Sequence, residues 1–279
     1  MANESTTTTL DDLLPAIVAE ALFQAEEQSI MRGLVRNYNM PFNSGKTLTV
    51  PKYAPIAAAA LTEGTDLSNT AVSTSSAVLT VAEVGVMTTV TDLAIRTSAS
   101  NVIADIGGQM GRGIAKKIDQ DLVALFDGFS VALGDGTTAI TAAKIFEAVA
   151  KLRAAEVPSL NMACVLHPEI AYDLKSSITS TFAAPASDLG NEALMAGYVG
   201  MLAGVPVYES ANIVSTAGDS KGAVFHRDAL GLAMMQDIQI ERQRDASLRA
   251  DELVATAVYG VGELFDTYGV ELNFDSSIV

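Results

Sequence analysis

Few stretches of this chain combine residue types at a spacing that could support chemistry. GGQMGRG, residues 107–113, places four glycines in seven positions. A dinucleotide fingerprint needs G-x-G-x-x-G directly after a strand, so that backbone amides meet a pyrophosphate at a helix N-terminus. Here Gly108, Gly111 and Gly113 run in the reversed spacing and fall inside a helical stripe, which argues against a phosphate cradle. NSGKT, residues 43–47, ends like a P-loop, but Met40 stands where the first glycine of G-x-x-x-x-G-K-[ST] belongs. Without that glycine the nest of amides is not specified, and Lys46 reads as a lysine at the start of a strand. GDSKG, residues 218–222, fits G-x-S-x-G and would make Ser220 a nucleophile. An elbow of that kind requires strand, turn and helix in order, with a histidine late in the chain. This stretch precedes an expected strand, and His226 follows within six residues, so it reads as a surface turn.

Cys164, His167 and His226 lack a second suitably spaced pair to complete a four-ligand metal site. His167, before Pro168, reads as the start of a helix. Glu241, Asp245, Asp251 and Glu252 alternate with Arg242, Arg244 and Arg249. Interleaved signs point to ion pairs, within the chain or across a contact, rather than to an acid–base pair. No catalytic constellation survives, and neither a cofactor nor a metal is expected.

Composition narrows the classes further. The 279 residues are 49% hydrophobic and 18% charged, which describes a packed protein with one large domain or two smaller ones. Lys and Arg total 17 against 33 Asp and Glu, a net charge of -16 that repels polyphosphate. Nucleic-acid binding is therefore not expected as the main activity, although an acidic wall around DNA is compatible with it. A lone cysteine excludes an intrachain disulfide framework and suits a reducing cytoplasm. MANESTTTTLDD has no basic or apolar region of a secretory signal, and no stretch approaches ~18 uninterrupted apolar residues.

The positioning elements show in the periodicity. Residues 1–12 are polar; Pro15 then suits a helix start, and Leu14, Ile17, Val18, Ala21, Leu22 and Ala25 follow helical spacing, with Gly33 or Asn37 as a stop. KTLTVPKY and AVLTVAEVGVMTTVTDLAI read as strands. The alanine-, threonine- and serine-rich run between them is too long for an ordinary connection and calls for function or cover by another subunit. Ile103, Ile106, Met110, Ile114, Ile118, Leu122, Leu125 and Phe129 step by three or four, predicting one helix over Asn101–Phe129 of roughly 40 Å. Beside that stripe, Ala104, Gly107, Gly111 and Ala115 form a smooth strip on which another backbone could approach closely. Next, TAAKIFEAVAKLRAAEV reads as a helix ended by Pro158, NMACVL as a buried strand and HPEIAYDLKSS as a helix. MLAGVPVYES and AVFHRD read as strands, and the final third as long strands with a turn around Asp245–Ser247.

This order resembles the Hong Kong 97-type major capsid proteins of tailed bacteriophages, an α+β fold. The resemblance covers nearly the whole chain and is most specific over residues 238–264, where Arg249, Ala250, Glu252, Val258 and Tyr259 match a late hairpin of that family. It implies an N-terminal arm over 1–43, an extended hairpin called the E-loop over 44–97 and a spine helix of the P-domain over 98–135. An A-domain over 136–230 follows, and closing strands of the P- and A-domains over 231–279. It further implies a non-enzymatic subunit that self-assembles into hexamers and pentamers around double-stranded DNA, found in the virion and assembled in the host cytoplasm. The expected partners are other copies, a separate scaffolding protein, a portal and weakly touched DNA, with no membrane. The expected intersubunit contacts are Lys46, Lys52, Glu63, Asp66, Gly107, Gly111, Glu241, Arg242, Arg244 and Arg249. No motif pairs Lys46 or Lys52 with Asn273 for a covalent crosslink, and none is expected. An encapsulin-like cargo compartment of the same fold stays open as the alternative.

Overall fold

The computed structural model describes residues 4–5, 29–98 (except 55, 57, 59, 61, 62, 65, 67, 68 and 70), 102–181 and 200–278. The amphipathic helix expected over Leu14–Ala25 lies outside the described residues. The first half contains β1 (Glu4–Ser5), α1 (Met31–Leu34), β2 (Arg36–Asn39), β3 (Thr47–Tyr53), β4 (Thr74–Thr80), β5 (Ala82–Thr91), α2 (Asp92–Thr97) and α3 (Val102–Val123). After it come β6 (Ala132–Leu133), α4 (Ala142–Ala154), β7 (Met162–Leu166), α5 (Pro168–Thr181), β8 (Met201–Leu202), β9 (Val205–Glu209) and β10 (Ser215–Thr216). β11 (Asp219–His226), β12 (Leu230–Asp245), β13 (Ala250–Glu263) and β14 (Gly269–Phe274) complete the chain. A five-stranded sheet runs β1-β5-β13-β12-β2, and a seven-stranded sheet runs β6-β14-β11-β7-β9-β8 with β10 on β11. β3 and β4 stand apart as a two-stranded hairpin.

α3 buries the stripe its spacing predicts. Met110, Ile114, Ile118 and Leu122 enter a core shared with Leu232, Met234, Leu253, Ala255 and Ala257 of the β12–β13 pair, while Ile103, Ile106 and Leu125 pack at its margin. Each fully buried side chain of this size contributes about 1.5–3 kcal/mol relative to exposure. The α-helix ends at Val123 instead of running to Phe129, and a tighter 3-10 turn over Ala124–Gly128 follows. Its 22 residues span about 33 Å, shorter than the sequence implied. The tighter turn carries Phe126 onto Phe225 of β11, with ring centroids 5.4 Å apart, so the spine helix is fastened to both sheets.

β7 reads as a continuous apolar run because both of its faces are covered. Ala163 and Val165 face the core shared with α3, and Met162, Cys164 and Leu166 face the core shared with α4 and α5. Burial pushes the Cys164 thiol far above its ordinary range, which leaves it an inert hydrophobe.

Three expectations need correction. The strand read from Ala77 to Ile95 divides: β4 pairs only with β3, whereas β5 joins β13 in the five-stranded sheet and α2 follows it. The division falls where Val81 N donates to Lys46 O and the chain crosses β13 at Gly260. A Cβ there would lie 2.3 Å from the Thr80 carbonyl oxygen, so only glycine permits the crossing. Of GDSKG only Gly218 lies in a turn, which it forms with the preceding Ala217, both at positive φ; Asp219–Gly222 already belong to β11. Gly33 lies inside α1, and the helix ends at Leu34.

Candidate assembly interface

The first half of α3 and the outward part of the β12–β13 pair enclose an open groove of about 650 Å³, lined by Ile103, Gly107, Gly108, Gly111 and Arg112 with Ile240, Arg242 and Leu253. Among the described residues little packs against these glycines. A Cβ added at Gly111 would meet nothing within 4 Å, and one at Gly107 would touch only Ile240 Cδ1 at 3.7 Å. At Gly111 the strip read from the sequence is thus uncovered by the described residues, in a groove with apolar lining and two arginines.

The β3–β4 hairpin is equally incomplete. Ala77 and Leu79 pack toward the body beside Val81 and Leu264, yet Tyr53, Ile56, Val72 and Val78 are each more than half exposed. Glu63 and Asp66 are exposed near its tip. Lys52 lies opposite Ser75, near the loop end of the paired strands, with Nζ 5.0 Å from the centre of the Phe265 ring, which stacks on Tyr268. Lys46 precedes β3 after a turn with positive φ at Asn43 and Gly45, and no helix follows, so the phosphate-loop geometry is absent there.

At the far end of β12 and β13 the interleaved charges pair within the chain. Arg242 Nη2 lies 2.6 Å from Asp251 Oδ2, and Arg244 grips Asp92 of α2, with Nη2 2.7 Å from Asp92 Oδ2. The Arg244 guanidinium holds the Asp92 carboxyl below the usual range and is itself raised by that partner. Glu241 is exposed outside this cluster, and Arg249, at φ 53°, bends the turn and accepts the Asp92 N–H on its carbonyl. The structure therefore brings Arg242 and Arg244 together with Asp92 and Asp251. It places Lys46, Lys52, Glu63 and Asp66 on the separate hairpin and Gly107 and Gly111 in the groove.

The enzymatic readings fail on geometry. Ser220 and His226 stand six residues apart on one strand, about 20 Å, too far for a base to reach a nucleophile. His167 Nδ1 accepts from the Glu169 N–H at 3.4 Å at the head of α5, as a helix-start residue does. Among the described residues no group of three His, Cys, Asp or Glu is placed to hold a metal ion, and no helix is long and apolar enough to cross a membrane.

Sequence reasoning passed over Asp119 of α3. It is fully buried and accepts from Ser29 Oγ at 2.9 Å, Met31 N at 2.8 Å and Asn212 Nδ2 at 2.9 Å. The available signal was its position four residues from both Ala115 and Val123, on the flank of the apolar stripe.

A spine helix laid across one sheet and pinned to a second, with a detached hairpin, defines a subunit built to be completed by its neighbours. Known structures agree on the fold. The chain is similar to a chain of Mycobacterium phage Che8 at 22% identity and a TM-score of 0.74, covering 93% of this chain and 96% of that one. It is similar to the capsid structure of cyanophage P-SCSP1u at 19% identity and 0.72, covering 99% and 97%. It is also similar to the capsid of a native GTA particle at 13% identity and 0.73, covering 99% and 100%. No curated protein matches the chain. Residues 74–271 match the phage capsid protein family, and the chain belongs to that family. Its fold is the Hong Kong 97-type capsid fold, and its place is in the shell of a virion.

Proposed function

We propose that many copies of this chain close into an icosahedral shell of hexamers and pentamers around double-stranded DNA, acting as the major capsid protein and carrying out no catalysis. The observation that carries this reading is the uncovered hairpin. A two-stranded hairpin is marginal alone in water, and among the described residues nothing covers Tyr53, Ile56, Val72 and Val78 of this one. A neighbouring body supplies that cover. The glycine groove, lined by Arg112 and by Arg242 of the Arg242–Asp251 pair, is the matching recess for a hairpin that carries Glu63 and Asp66 near its tip. In the same arrangement the N-terminal arm ties adjacent subunits, the α4–α5 end gathers at the capsomer centre, and Lys46, Lys52, Glu241, Arg244 and Arg249 lie at or near subunit contacts. A separate scaffolding protein and a portal complete the assembly, which takes place in the host cytoplasm. Membership of the phage capsid family favours this reading over a compartment for protein cargo.

Electron microscopy of the expressed chain with and without the phage's scaffolding protein tests it. The expected result is closed shells with five- and six-fold capsomers that depend on the scaffold for uniform size. Small uniform shells filled with a protein cargo, or a soluble oligomer that never closes, would overturn it.

A further inference from the structure

Asp119 joins three parts of the chain that are remote in sequence. Its Oδ1 accepts from the Ser29 hydroxyl and from the Met31 N–H at the foot of the N-terminal segment, and its Oδ2 accepts from the Asn212 amide. Asn212 sits on the loop after β9, where its own N–H donates to Ser210 Oγ at 3.2 Å, and Ser210 N in turn donates to Leu166 O of β7 at 3.0 Å. The donors to the carboxylate are all uncharged groups. Asn212 is itself buried, and its Oδ1 has no hydrogen-bond partner among the described residues. An amide held for its NH2 alone, with its oxygen orphaned, has been oriented by the charge it faces.

We propose that Asp119 is a positioning residue that latches the foot of the N-terminal segment to the seven-stranded sheet across the spine helix, so that release at either side loosens the other. The physical basis is desolvation. A buried carboxylate that loses one donor recovers it from water only when the cover lifts, so removing Asn212 favours lifting of the segment that carries Ser29 and Met31. The coupling is reciprocal by linkage. Under the shell reading, on which only this consequence rests, subunits in different local surroundings would move their arm foot and their seven-stranded sheet together.

Amide hydrogen exchange on the full chain reads the latch without reference to assembly. Asn212→Ala, whose side chain bonds neither Ser29 nor Met31, should speed exchange of the Met31 N–H on the order of tenfold. Ser29→Ala should speed exchange of the Asn212 N–H in turn. Asp119→Asn should stay within a few-fold of the parent, because Asn212 can rotate its unpaired oxygen toward the introduced amide while the introduced carbonyl oxygen keeps Ser29 and Met31. In an Asp119→Ala background, Asn212→Ala should add nothing at Met31; if that background does not fold, the Asn212 and Ser29 variants still decide. Unchanged Met31 exchange in Asn212→Ala overturns the latch and leaves Asp119 a local cap. Electron microscopy of the same variants scores shell formation separately, so loss of coupling and failure of the shell reading are told apart.

Discussion

Glycine has opposite meanings at two groups of positions in this chain, and on the proposed assembly the difference separates packing within the subunit from packing between subunits. At Gly260 a Cβ would strike the Thr80 carbonyl at 2.3 Å, and at Gly222 the Val165 carbonyl at 2.6 Å; both obstacles are backbone and cannot step aside. Gly260→Ala should therefore lower subunit stability by about 2–3 kcal/mol in chemical denaturation, as overpacking does. At Gly111 none of the described residues comes within 4 Å of an added Cβ, so alanine meets no steric penalty there and gains roughly 1 kcal/mol of helix propensity. Gly111→Ala should then stabilise the isolated subunit, whereas Gly107→Leu and Gly111→Leu should impair shell assembly by filling the groove. Normal shell yield from both leucine variants would remove the groove from the interface. The Arg244–Asp92 pair gives a second prediction at this scale. Because the Asp92 carboxyl titrates below its unfolded value, the pair stabilises above the ordinary aspartate range and is lost as pH falls through the lower folded value. Melting curves of the parent and Arg244→Gln should differ at neutral pH and converge once the pH drops well below about 4.

At the scale of elements, local patterns were readable and remote ones were not. The α3 stripe, the apolar run of β7 and the long β12–β13 pair each carry their signal within a few turns or residues, because burial on one or both faces writes a period into the sequence. The division between β4 and β5 is not written locally. It depends on Gly260, far along the chain, where the missing side chain lets the strand cross. Asp119 was missed for the same reason, since its donors come from residues 29, 31 and 212. The groove was half legible: the glycines announced a close approach, but only the structure shows that none of the described residues makes it at Gly111. β1 poses the corresponding question for the arm. Glu4 pairs with Thr89 and Ser5 with Val90 in parallel, along the outer edge of β5. The intervening chain can reach tens of ångströms when extended, far enough for the same edge on a neighbour to be served. Shells co-assembled from Glu4→Cys chains and Met87→Cys chains, treated with a short bismaleimide, should yield crosslinked dimers if arms tie neighbours. Crosslinking confined to single chains of the double variant would show that the arm returns to its own body.

For the whole molecule the net charge of -16 sets the relation between wall and contents. Several of the described basic side chains are already engaged within the chain: Arg32 with Asp237, Arg36 with Asp228, Lys221 with Glu271 and Asp127, and Arg242 and Arg244 with Asp251 and Asp92. Such pairs are mostly exposed and contribute little stability each, but they occupy cations that would otherwise meet phosphate. A surface that neutralises Z phosphates loses DNA affinity with a slope near -0.9Z against the logarithm of salt. For this subunit Z should be close to zero, so duplex DNA should sediment with empty shells only weakly and with almost no salt dependence. The test is most demanding near 0.01 M salt, where screening extends to about 30 Å and any basic patch would act at long range. Tight capture of DNA at low salt that falls away steeply by 0.2 M would show a cationic inner face instead. Weak, salt-insensitive association is what a container needs if its packed genome is to slide freely against the wall.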